Sequence, residues 1–60
     1  MNIKQYKQHR QFLKISQQTV ANAIKCHVQT ISQIERGLMK EGSRTVKDYK
    51  EYIMKKVVDL

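Results

Sequence analysis

The first glycine of the chain is Gly37, proline is absent altogether, and apolar residues recur along most of the length at steps of three and four. Such a pattern gives strands little support and commits the chain to helices. Helix ends must therefore be marked by caps. Asn2 can open a first helix over about residues 2–13, with Ile3, Tyr6 and Leu13 on its apolar side and Lys4, Gln5, Lys7, Gln8 and Gln11 on its wet side. Ser16, preceded by the apolar Ile15, can cap a second helix that carries Val20, Ala21 and Ile24 and ends near Ile24. Ile31, Ile34 and Leu38 define a third helix over about 28–36, closed by Gly37, with Leu38 turned inward. Residues 39–42 form a loop, and Ser43 caps a fourth helix bearing Val46, Tyr49, Ile53 and Val57.

These elements predict an all-α fold: a small bundle of four short helices, or five if the last segment folds separately. Sixty residues make a single domain, 1–60, too small for a large catalytic scaffold. Residues 54–60 can extend the fourth helix or form a short strand, and helix is the better reading. Val57, Val58 and Leu60 would then be exposed on a very small domain, which marks this segment as a contact with a second copy.

The formal charge is +7, and it is uneven. Lys4, Lys7, Arg10, Lys14 and Lys25 all precede the first acid, Glu35, so residues 1–34 carry +5 and the remainder +2. A polyanion or an anionic surface is the expected kind of partner. No apolar run approaches a membrane span or a signal-peptide core, so a soluble, untargeted chain is expected. The single cysteine, Cys26, excludes an intrachain disulfide and fits a reducing cytoplasm. Neither His9 nor His27 has a ligand partner at metal spacing, and no metal, cofactor or small-molecule ligand is expected. There is no acid/base pair, nucleophile arrangement or phosphate-cradling glycine loop, so an enzyme is not expected.

Residues 16–37, SQQTVANAIKCHVQTISQIERG, read as two short helices joined by a turn of three or four residues, the layout of a helix-turn-helix. With Ile31, Ile34 and Leu38 inward, Gln29, Gln33 and Arg36 fall on the opposite side of the third helix, flanked by Val28, Thr30 and Ser32. No acid lies on that stripe. Glutamine can pair with adenine through N6 and N7, arginine with guanine, and an apolar side chain can touch a thymine methyl.

The segment resembles the Cro and phage-repressor (Xre-type) class of helix-turn-helix DNA-binding proteins. The resemblance rests on Ser16-Gln17, Val20-Ala21, Ile24, Thr30-Ile31-Ser32 and Ile34-Glu35-Arg36-Gly37, and it extends over about residues 3–53. It implies a lambda-repressor-like domain in which Val28, Gln29 and Gln33, with Ser32 beside them, read bases of double-stranded operator DNA in the major groove. Phosphate positioning is assigned to Gln17, Arg36, Lys40, Ser43 and Arg44, because helix starts and cations suit phosphate oxygens without sequence preference. The resemblance further implies a buried structural pair between Arg10 and Glu35. Glycine usually occupies the position held here by Lys25, where a left-handed backbone strains any other residue. His27 stands where a Ser or Thr cap is usual, and Cys26 occupies an apolar turn position, most simply as a small buried hydrophobe.

Function then follows from the resemblance: a sequence-specific transcriptional regulator of Cro-like type, a repressor acting as a homodimer on DNA, in the nucleoid of a bacterial cell or a phage-infected host. The competing reading is a protein-interaction module on the same fold, such as an antitoxin or an anti-repressor. Acids or apolar residues on the third-helix face would mark it, whereas Gln29, Gln33 and Arg36 stand there.

Overall fold

Residues 2–59 of the computed structural model form four helices, α1 (Ile3–Phe12), α2 (Gln17–Ile24), α3 (Val28–Glu35) and α4 (Arg44–Val58), with no strand among the described residues. The chain is all-α. Local chemistry explains where each helix begins. Asn2 and Gln5 form a reciprocal capping box: the Asn2 side chain accepts from the Gln5 N–H at 3.0 Å, and the Gln5 side chain accepts from the Asn2 N–H at 2.9 Å. Ser16 and Ser43 each accept a hydrogen bond from the N–H three residues on, at Thr19 and Val46. His27 opens α3 with the right extended backbone but with no side-chain bond.

The first three helices end in a left-handed residue. Gly37 (φ 75) closes α3, with the Leu38 N–H donating to the Gln33 carbonyl at 3.0 Å. Lys14 (φ 59) and Lys25 (φ 60) do the same for α1 and α2, each without glycine's freedom. The place of Lys25 in the motif predicts this strain, whereas nothing in the sequence marks Lys14.

Val20, Ala21, Ile31, Ile34, Val46, Tyr49 and Ile53 form the core. Ala21 has no exposed surface, as a close crossing of α2 and α3 requires. A fully buried Ile such as Ile31 contributes about 1.5–3 kcal/mol of burial free energy. Helices of eight residues are marginal alone, so this shared core is what keeps α2 and α3 folded.

Two expectations about the apolar residues are corrected. Leu38 is 66% exposed rather than inward, because α3 stops at Glu35 and the left-handed Gly37 turns the chain off the helix axis before Leu38 is reached. Val57 is half-buried and packed against the core rather than exposed, since α4 runs on without a break to Val58 and keeps Val57 one turn beyond Ile53. Val58 is 75% exposed, as expected, while Leu60 lies outside the described residues. The segment after Met54 is thus the end of α4, with no fifth helix among the described residues. No helix there is long and apolar enough to cross a membrane.

Candidate nucleic-acid interface

α2 and α3 are joined by Lys25, Cys26 and His27, a three-residue turn. With Ile31 and Ile34 buried against α2 and the rest of the core, the other side of α3 faces solvent. Gln29 and Gln33 are exposed there one helical turn apart, and Arg36 is exposed at the C-cap. Ser32 and Thr30 are half-buried on the flanks. Val28 is also half-buried, packed against the core, so only part of its side chain is presented outward.

At the other end of the motif, Ser16 takes the Thr19 N–H at 3.1 Å. Helix geometry leaves the N–H groups of Gln17 and Gln18 without an acceptor inside α2, at the positive end of its dipole. The side chain of Gln17 has a partner within the protein. Its Nε2 donates to Glu35 Oε1 at 2.9 Å, so the amide ties the start of α2 to the end of α3, and the backbone N–H is the Gln17 donor left without an acceptor inside the helix. Lys40 lies exposed in the loop after α3, and Arg44 is exposed as the first residue of α4. Ser43, half-buried between them, uses its hydroxyl oxygen as the N-cap of α4, accepting from Val46 at 3.2 Å.

Beneath this surface lies the Arg10–Glu35 pair. Arg10 Nε donates to Glu35 Oε2 at 2.5 Å and Nη2 to Oε1 at 3.1 Å, while Nη1 holds the Ile15 carbonyl at 2.7 Å. The Tyr49 hydroxyl adds a bond to Oε2 at 2.7 Å. Burial alone would raise the Glu35 pKa; the bonds from Arg10, Tyr49 and Gln17 and the Arg10 charge outweigh it and hold the carboxyl below its ordinary range. The Tyr49 phenol is pushed above its ordinary range, first by burial and then by the carboxylate it serves. Tyr49 and Gln17 were not anticipated as partners of Glu35. One clue was available: a tyrosine at an inward position of α4 needs an acceptor for its hydroxyl.

Cys26 is half-buried beside the core, and burial pushes its thiol pKa up, away from thiolate chemistry. No family model matches the chain, and neither does any curated protein or solved structure.

Proposed function

We propose that this chain is a sequence-specific double-stranded DNA-binding regulator of the Cro and phage-repressor type, inserting α3 into the major groove. One observation carries the reading: the exposed side of α3 is an acid-free stripe of Gln29, Gln33 and Arg36 directly opposite the buried Ile31 and Ile34. Two glutamines one turn apart can each present a bidentate amide to adenine, and Arg36 to guanine or phosphate. Val28 and Ser32 flank the stripe as secondary base contacts. Around it, Lys40, Arg44 and Ser43, together with the free N–H groups at the start of α2, supply phosphate positioning. The net charge of +7 brings the domain to DNA, and the amides choose where it stays.

The reading includes a homodimer on a pseudo-palindromic site, with α3 of each copy in successive major grooves about 34–36 Å apart. The exposed Val58 at the end of α4 is the contact assigned to the second copy. Repression follows from occupancy of a promoter.

Selection of bound duplexes from a random pool, followed by affinity against salt, tests the proposal. A palindromic or half-site consensus with a steep salt slope is expected. Gln33→Ala should relax preference at one base position by about 1–3 kcal/mol, whereas Lys40→Ala should weaken all duplexes alike. Recovery of no consensus would favour the protein-interaction module instead.

A further inference from the structure

We infer that Tyr49 is a positioning residue for DNA recognition, setting the end of α3 and the cation-bearing loop after it through the Glu35 carboxylate. The inference rests on the DNA-binding reading above and adds to it a residue that cannot touch DNA. Tyr49 is 0% exposed, and its hydroxyl donates to Glu35 Oε2.

Glu35 is the last residue of α3, and donors from the three other helices meet on its two oxygens. Oε2 takes Arg10 Nε from α1 and the Tyr49 hydroxyl from α4. Oε1 takes Arg10 Nη2 and, from α2, Gln17 Nε2. The packing makes the α4 donor special. α3 packs on α2 and α1, and α4 packs on α1 and α2, while α3 and α4 share little direct backbone packing. Across that gap runs the segment from Arg36 to Ser43, which carries Arg36 and Lys40 and delivers Arg44. A charge-assisted bond of 2.7 Å between Tyr49 and Glu35 is thus the polar tie that sets one end of this segment relative to the other. The glutamine stripe lies on α3 and the phosphate-facing cations follow it, so their mutual spacing depends on the same tie. Small misplacement of paired contacts is costly because base and phosphate contacts must be met together.

Tyr49→Phe tests this, because it removes one oxygen and keeps the ring that packs at 6.4 Å from Tyr6. Tyr6→Phe is the control, removing a phenol oxygen outside the Glu35 cluster. Each variant is assayed well below its own thermal midpoint, against the selected duplex and a scrambled one. Tyr49→Phe should reduce the ratio of the two affinities about three- to tenfold, with Tyr6→Phe unchanged. In the free protein its amide resonances should shift from Gln33 to Ser43. A lowered midpoint with an unchanged ratio and unshifted resonances overturns the inference and leaves Tyr49 a core residue only. Should Tyr49→Phe not fold fully in dilute buffer, the same measurements are made on it and on wild type in a stabilising osmolyte such as sucrose, and an unmoved ratio there again overturns the inference. If the wild-type protein selects no duplex, the DNA-binding reading fails, and the resonances alone decide whether Tyr49 sets the loop.

Discussion

Glu35 keeps its charge under the helices because its donors outweigh the cost of burial, and this has a sign in pH. A carboxyl held below its ordinary value of about 4.5 stabilises the fold above that value, and the contribution is lost as pH falls through the lower folded value. Tyr49 works in the opposite sense. Its neutral form is favoured by the fold, so stability is full below its ordinary value of 10.0 and falls as pH rises beyond it. Urea midpoints should therefore drop on the acid side below about pH 4.5, and Glu35→Gln should flatten that limb. Arg10→Met should cost about 3–5 kcal/mol by leaving a buried carboxylate without its cation; a thermal midpoint equal to wild type would show the pair to be dispensable. Arg10 was legible because it shares a helix side with Tyr6 and Leu13, and the family resemblance supplied its partner. Gln17 and Tyr49 were not, since nothing in the spacing of a side chain reveals which carboxylate on a neighbouring helix its polar tip will meet.

The helices themselves are short, and their ends carry much of their individuality. α2 turns into α3 through Lys25 at φ 60 and ψ 52, where a non-glycine residue is strained by about 1–2 kcal/mol, partly offset by the lower unfolded-state entropy of lysine. Lys25→Gly should stabilise the domain by about 0.5–1 kcal/mol, read as a rise in thermal midpoint, while Lys25→Val should lower it. At the next boundary His27 leaves the N-terminus of α3 without a side-chain acceptor. His27→Ser should supply one and add about 0.5–1 kcal/mol, measurable by urea denaturation. The serine and asparagine caps were readable directly, because a cap acts on an N–H three residues away. Lys14 was hidden for the converse reason: lysine gives no hint of a left-handed backbone, which here closes α1 with the Ile15 N–H donating to the Arg10 carbonyl at 3.1 Å.

The whole domain measures 28 × 23 × 16 Å, and it leaves Phe12 (78% exposed) and Val58 (75%) uncovered. On the dimer reading, Val58→Glu should shift sedimentation equilibrium toward monomer at equal concentration and weaken binding to a full palindrome more than to a half-site; an unchanged mass would reject this contact. Helix content, three of the helix starts, the buried faces of α2 and α3 and the exposed amide stripe were determined by the sequence alone. All depend on interactions spanning three or four residues or on the periodicity of one helix. Only the tertiary structure decided that the Gln17 side chain turns to Glu35 and that Tyr49 completes the carboxylate's donors. Each of these depends on where one helix stands relative to another, a geometry set by packing the shared core and carried by no local spacing in the chain.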